Sequence, residues 1–155
     1  MSGEPNIISI FESDTYDVYQ NQAAELAIFE TLEEDEIALF LWTNERTVVI
    51  GRNQDALTEC KVELLNIENG HLARRLSGGG AVYHDMGNLN FTFCAHKLYF
   101  DKKKNFEVIL RAMKSCGFDV ELSGRNDLTI GGKKFSGNAY YSDGNRNYHH
   151  GTILI

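Results

Sequence analysis

A chain of 155 residues with 43% hydrophobic residues, 11% aromatics and a single proline has the makeup of one globular domain, able to bury roughly 70% of its unfolded surface. Its net charge of −7 argues against a general nucleic-acid or anionic-membrane binder, and no apolar run approaches the ~20 residues of a membrane span. Cys60, Cys94 and Cys116 are odd in number and lie outside any CxxC pair, and the N-terminus has no basic-then-apolar signal, which together point to a reduced, cytoplasmic protein.

In chain order, the apolar run Ile7 to Phe11 predicts a first strand. Asp14 or Thr15 can cap a helix from about Tyr16 to Leu32, with Tyr19, Ala23, Leu26, Ala27 and Glu30 near helical spacing. Glu33 to Glu36 reads as a solvated turn, and Ile37 to Trp42 with Thr47 to Gly51 as a hairpin rich in aromatic and β-branched residues. Val62 to Asn69 predicts a short helix closed by Gly70 in the left-handed conformation, and Phe106 to Cys116 a second helix ended by Gly117. Lys102, Lys103 and Lys104 read as a solvated loop. Interspersed rather than alternating helices indicate a mixed α/β or α+β sandwich, not a doubly wound parallel sheet.

Between these elements lies the run Arg74-Arg75-Leu-Ser77-Gly78-Gly79-Gly80-Ala81-Val82-Tyr83-His84. Three residues without Cβ let a ligand approach the backbone N–H groups, and an adjacent arginine offers a planar fork for phosphate or carboxylate. No Lys-Ser/Thr follows, so this is not a P-loop, and Ala81 to Phe93 reads as extended, so it is not a dinucleotide fingerprint leading into a helix. The alternatives are a phosphate-gripping loop between two strands and a bend that only joins them.

Further on, Gly131-Gly132 suits a tight primed hairpin turn, after which Lys134, Ser136 and Asn138 share one strand face while Phe135 and Ala139 take the other. That face is either a polar pocket wall with a charge-neutralising lysine or a solvated edge protected by lysines. Ser142 to Asn147 reads as a turn and Tyr148 to Ile155 as a strand. There His149 and His150 point to opposite faces, so the pair does not form a zinc site.

The run from Arg74 to Asn88, then Ser-Gly-Arg-Asn-Asp-Leu at 123–128, Lys-Phe-Ser-Gly-Asn-Ala-Tyr at 134–140 and His-His-Gly-Thr-Ile-Leu at 149–154, resemble the lipoate–protein ligase A family. Asp-Thr-Tyr-Asp at 14–17 with Asn21 and Glu25, and Leu41-Trp42 followed by Thr-Val-Val-Ile-Gly-Arg at 47–52, are similar to the same family. The resemblance implies a fold shared with biotin protein ligases, a mixed, largely antiparallel sheet with packed helices. It also implies two half-reactions: lipoate and ATP give lipoyl-AMP and pyrophosphate with Mg²⁺, and the lipoyl group then passes to a lysine of an acceptor domain. Acceptors of that kind are the E2 subunits of 2-oxoacid dehydrogenases and the glycine-cleavage H protein.

By the same resemblance, Lys134 is the essential lysine that bridges the lipoate carboxylate and the α-phosphate. Arg75, Gly80, Ala81, Val82 and Tyr83 contact ATP or the adenylate, and Asn88 and Asp127 line the nucleotide side, with Mg²⁺ arriving on ATP near Asp127 rather than in a protein metal centre. Trp42, Ser77, Gly79 and His84 surround the lipoyl tunnel, and Trp42 also suits a plain core role. Ligases of this type continue well past the His-His-Gly-Thr strand, so residues 1–155 are expected to be the N-terminal part of a catalytic domain. The rest of that domain and a C-terminal accessory domain lie beyond the sequence, which would leave an open sheet edge for self-association. Two other outcomes fit the same motifs: an ATP-independent lipoyl or octanoyl transferase, and a fragment that binds lipoyl-adenylate without catalysis. Octanoyltransferases and lipoyl amidotransferases use a cysteine ahead of the lysine strand, and Ser123 to Lys133 contains none, whereas a lipoyltransferase lacking the activation step keeps many of the same motifs.

Overall fold

The computed structural model describes residues 4–123 and 127–154. Gly124, Arg125 and Asn126 of the Ser-Gly-Arg-Asn-Asp-Leu motif, and Ile155 of the last expected strand, lie outside the described residues. In chain order the elements are β1 (Ile7–Glu12), α1 (Val18–Thr31), β2 (Glu36–Thr43), β3 (Thr47–Ile50), α2 (Ala56–Glu59), α3 (Val62–Ile67), β4 (His71–Arg74) and β5 (Val82–His84). They continue with β6 (Asn88–His96), α4 (Lys102–Ser115), β7 (Val120–Ser123), β8 (Asp127–Ile130), β9 (Lys133–Ser136), β10 (Asn138–Ser142) and β11 (Arg146–Leu154). None of the described helices is long and apolar enough to cross a membrane.

A five-stranded sheet runs β1-β2-β6-β11-β10, parallel only between β1 and β2. Two three-stranded sheets, β4-β3-β5 and β7-β8-β9, pack with it in the expected antiparallel-rich α+β arrangement. The alternation along β6 explains the layering. Phe91 and Phe93 face α4 and the β7-β8-β9 sheet, where they join Phe106, Ile109, Val120, Leu128, Phe135 and Ile153 in the main core. Burying each such side chain stabilises the fold by about 1.5–3 kcal/mol. Cys94, on the opposite face, packs with Ala38, Tyr148 and Phe29 of α1. Val18 of α1 meets Val49 and Ala73 of the β4-β3-β5 sheet. The polar residues of this second face, Asn90, Thr92 and His150, are buried beneath α1 and the small sheet, and the site forms there.

Several sequence expectations change. Ile37–Trp42 and Thr47–Gly51 are not a hairpin: β2 pairs with β1 and β6, whereas β3 pairs with β4 and β5 in another sheet. The link between them is fastened instead to α1, through Asn44 to Asn21, and to the segment leading into it, through the Glu45 N–H to the Tyr16 carbonyl. Asp17, not Asp14 or Thr15, caps α1 by accepting from the Tyr19 and Gln20 N–H groups. The buried stripe of that helix is Val18, Asn21, Glu25 and Phe29, while Tyr19 is exposed.

Lys102 to Lys104 form the first turn of α4 rather than a loop, because the Asp101 carboxylate caps the Lys103 and Lys104 N–H groups. After α3 the left-handed residue is Asn69, at φ 53°, not Gly70. Gly70 is small for another reason: a Cβ there would lie 2.3 Å from Leu65 Cδ1. The expected polar face Lys134-Ser136-Asn138 is interrupted at Gly137, where β9 ends in one sheet and β10 begins in another. The tight turn at Gly131-Gly132 is as expected, with φ of 54° and 75° at the two positions.

Candidate functional site

A cavity of about 380 Å³ opens where the glycine-rich loop, the second face of the large sheet and the start of β10 meet. That volume suits a small organic ligand. One wall is the loop from β4 to β5. Arg75 shapes it from inside: its Nε and one terminal nitrogen donate to the Gly78 carbonyl (3.2 and 2.8 Å). The same nitrogen reaches the Gly80 carbonyl at 2.7 Å, and the other donates to the Val49 carbonyl at 3.1 Å. Burial holds the Arg75 pKa below its ordinary value, against the opposing pull of Tyr148 and Glu25. Gly79, at φ 97°, sits so close that a Cβ would lie 2.9 Å from the Arg75 guanidinium. Arg74 instead ties the β4 end to the next loop, donating to the Gly51, Arg52 and Gln54 carbonyls.

The opposite rim carries Lys134 and Asp127, brought together by the β8–β9 hairpin. Lys134 Nζ lies 2.9 Å from Asp127 Oδ1, with about half of each side chain exposed. Such a pair contributes about 0–1 kcal/mol to stability, so its consequence is the placement of the ammonium rather than holding the fold. The break at Gly137 turns Asn138 and Ala139 into the same cavity.

The floor is a connected polar network under an aromatic wall. Trp42 Nε1 donates to Thr92 Oγ1 (3.1 Å), which donates to Glu25 Oε1 (2.6 Å). The same carboxylate oxygen lies 2.8 Å from His150 Nδ1, and His150 Nε2 lies 2.6 Å from Ser77 Oγ. Glu25 and His150 are almost wholly buried, so removing either partner would strand a charge or a polar group without water. Beside this network, Asn21 donates to Asn44 Oδ1 (2.9 Å), and Asn44 Nδ2 lies 3.0 Å from His84 Nδ1. Burial, with Arg75 and then His150 nearby, pushes the His84 pKa down to about 4, against a smaller opposing effect of Asp85. His84 is therefore neutral at pH 7.

Nine of the sequence-predicted residues line this one cavity: Trp42 and His84 on the floor side, Arg75, Gly79, Gly80, Ala81 and Val82 from the loop, and Asp127 and Lys134 at the rim. Three do not. Ser77 is buried against His150, Tyr83 is half exposed on β5, and Asn88 is buried and donates to Asn90 Oδ1 (3.1 Å). Asn90, His150 and Gln22 line the wall without having been assigned a role from sequence, and Asn138, which one reading of the sequence put on a polar pocket wall with Lys134, lines it too. A readable sign existed for the floor: polar residues at buried positions of otherwise apolar segments, as in Asn21 and Glu25 of α1 or Asn90 and Thr92 of β6. No cysteine lines the cavity among the described residues. Cys94 is buried in β6, with its thiol pKa raised by burial and then by Glu25 and Glu36.

Comparison with known proteins gives consistent likenesses. The family pattern of the Lipoyl protein ligase A/B catalytic domain matches residues 17–155. Lipoate-protein ligase A of Psychrobacter cryohalolentis is 47% identical over 148 residues, covering 96% of this chain and 44% of that protein. Among solved structures, P. falciparum LipL1 in complex with lipoate superposes with a TM-score of 0.88 at 32% identity, covering 97% of this chain and 48% of the other. A lipoate-protein ligase A bound with ATP gives a TM-score of 0.82 at 26% identity, covering 96% of this chain and 66% of the other. A bipartite lipoate protein ligase from Thermoplasma acidophilum, solved in a study that includes its E2 lipoyl domain, gives 0.83 at 26% identity, covering 99% and 62%. The chain spans about half the length of the curated relatives it matches.

Proposed function

Because the chain belongs to the lipoyl protein ligase A/B catalytic domain family, we propose that it activates lipoate with ATP and passes the lipoyl group to a lysine of an acceptor domain. The observation that carries this reading is the pairing of a mobile-stemmed cation, Lys134, with a glycine-rich, backbone-lined wall across one cavity of ligand size. Lipoate lies with its acyl chain against Trp42 and Val49 and its carboxylate towards Lys134. ATP lies along Gly79 to Val82, where exposed backbone and Arg75 meet its charge.

In the first step a carboxylate oxygen attacks the α-phosphorus, forming the acyl–phosphate bond, and pyrophosphate leaves. Two anions brought to about 4 Å repel by roughly 1 kcal/mol in water and about 4 kcal/mol in the lower dielectric of such a cleft. Lys134 between them offsets this repulsion and fixes the line of approach. Asp127 positions the ammonium until the anions arrive. In the second step the acceptor lysine's amine attacks the acyl carbonyl and AMP leaves. The E2 lipoyl domain that accompanies the Thermoplasma relative supports an acceptor of the lipoyl-domain class, and the family resemblance extends the proposal to the H protein of glycine cleavage.

Magnesium fits this site as a companion of the nucleotide. No cluster of three metal-ligating side chains exists among the described residues, and Asp127 is the carboxylate at the rim. One carboxylate plus substrate phosphates is a normal setting for Mg²⁺, which would neutralise phosphate charge when bound. Lipoate-dependent ATP–pyrophosphate exchange tests the proposal. Exchange is expected for adenylation; its absence alongside acyl transfer from a preformed donor would mark an ATP-independent transferase. Adenylate binding without either activity would mark a non-catalytic fragment.

A further inference from the structure

Gly78 and Gly80 have open space around them: a Cβ at either would meet nothing within 4 Å. Packing therefore does not fix the tip of the glycine loop, and its place relative to the large sheet depends on its anchors. Arg75 sets the loop's own shape, while Ser77, at its entry, is pinned at two atoms. The Ser77 carbonyl accepts from the Arg52 N–H at 2.9 Å, and Ser77 Oγ lies 2.6 Å from His150 Nε2 on β11. The second contact fastens the loop to the large sheet. Behind it stands Glu25 of α1, which holds His150 Nδ1 and is not part of the cavity lining.

The direction of each bond follows from the donors present. Trp42 Nε1 can only donate, so Thr92 Oγ1 accepts from it and gives its own proton to Glu25 Oε1. A carboxylate only accepts, so His150 Nδ1 carries a proton. With one proton on the ring, Nε2 is a bare acceptor and takes the Ser77 O–H. Fastened by Glu25 and flanked by the Tyr148 ring, with centroids 4.8 Å apart, the imidazole presents one orientation to Ser77. Ser77, Glu25, Thr92 and His150 are at most 7% exposed, so bulk water is a poor substitute for a lost partner.

We propose that Glu25, His150 and Ser77 act as positioning residues for the nucleotide: Glu25 orients His150, His150 holds the Ser77 hydroxyl, and this latch sets the glycine loop at the spacing from the large sheet that ATP needs. The inference rests on the reading of Gly79 to Val82 as the nucleotide wall. A loop released at Ser77 keeps its Arg75 fork but samples more positions. Apparent ATP affinity then falls by the fraction of time spent in the competent one.

Calorimetric titration of ATP into the wild-type chain and its variants tests this, with a thermal melt of each. Ser77→Ala removes one hydroxyl, adds no volume and is expected to weaken ATP binding about three- to tenfold, the range of one hydrogen bond. Glu25→Leu should weaken it similarly, whereas Glu25→Gln retains an acceptor oxygen for His150 and should recover most of the affinity. No hydrogen bond joins Ser77 to Glu25 among the described residues, so their coupling runs through His150. The double variant Ser77→Ala/Glu25→Leu should therefore bind ATP about as well as the weaker single one, where independent losses would multiply. Imidazole ¹⁵N spectra of the ligand-free wild type should show the His150 proton on Nδ1.

Wild-type ATP affinity in Ser77→Ala, even with a lowered melting temperature, would reduce the latch to a structural contact and overturn the proposal. That variant decides the matter alone if Glu25→Leu fails to fold. Multiplying losses in the double variant, or a His150 proton on Nε2, would also overturn it. If the wild type binds no ATP, the nucleotide reading falls and this inference with it; the tautomer, read without ligand, tells the two failures apart.

Discussion

Arg75 illustrates how one half-buried side chain can shape a binding loop from within. Its guanidinium donates to the carbonyls of Gly78, Gly80 and Val49, which binds the loop to β3 and limits the conformations three glycines would otherwise sample. Lysine cannot reproduce this fork, having one ammonium in place of a planar set of donors. Arg75→Ala is expected to raise the KM for ATP by about tenfold or more, since several charge-assisted hydrogen bonds of about 1.5–3 kcal/mol each are lost. Arg75→Lys should recover only part of it. Steady-state kinetics on both variants check this, and an unchanged KM in Arg75→Ala would count against a loop-shaping role. Residue chemistry was legible in sequence where it carried charge beside glycine, as at Arg75 and Lys134. For the floor it was only partly legible: polar residues such as Glu25 and Thr92 stand out in their segments, but their joining with Ser77 and His150 depends on three elements and a loop folding together.

Among the elements, the glycine loop depends on its close contact with the end of β3. A Cβ on Gly51 would lie 2.2 Å from the Gly79 carbonyl oxygen, a distance that forces the backbone of the loop to move. Gly51→Ala is therefore expected to weaken nucleotide-analogue binding by about tenfold while costing the fold about 1–3 kcal/mol, the usual range for overpacking. Calorimetric titration and a thermal melt, run together, separate the two effects; normal affinity would show that the loop position does not matter. The existence of most strands and of α1, α3 and α4 could be read from periodicity, capping residues and glycine stops. Strand partners could not. Ile37–Trp42 and Thr47–Gly51 look like a hairpin locally, but the intervening Asn44 finds a stronger set of bonds with Asn21 and His84, and the chain crosses to another sheet. The shift of the α4 start to Lys102 has a local cause that was available in sequence, the Asp101 cap.

For the molecule as a whole, buried neutral histidines link stability to pH. Burial, with His150 and then Lys102 nearby, pushes the His149 pKa down to about 3, and His84 is held at about 4. Both titrate near 6.5 when unfolded, so between that pH and the folded values the unfolded chain binds protons that the folded chain does not. Stability should fall as pH drops from about 6.5 towards 4. His149 is wholly buried among Phe91, Phe93, Phe106 and Tyr140, so His149→Phe should keep the packing and flatten this slope in thermal melts across that range. Equal slopes in both proteins would remove His149 as a source of acid sensitivity. At this scale the antiparallel-rich α+β class and the family were both legible in the chain's motifs, and residues from several of them, Arg75, Gly79 to Val82, His84, Asp127 and Lys134 among them, line one cavity. The account stands most directly on single-turnover formation of lipoyl-AMP from lipoate and ATP, compared between wild type and Lys134→Ala. It predicts a fall of at least about a hundredfold in the rate of adenylate formation, with lipoate affinity changed by less than about tenfold, as expected for a charge acting mainly in the transition state. Adenylate formed by Lys134→Ala at the wild-type rate would contradict it.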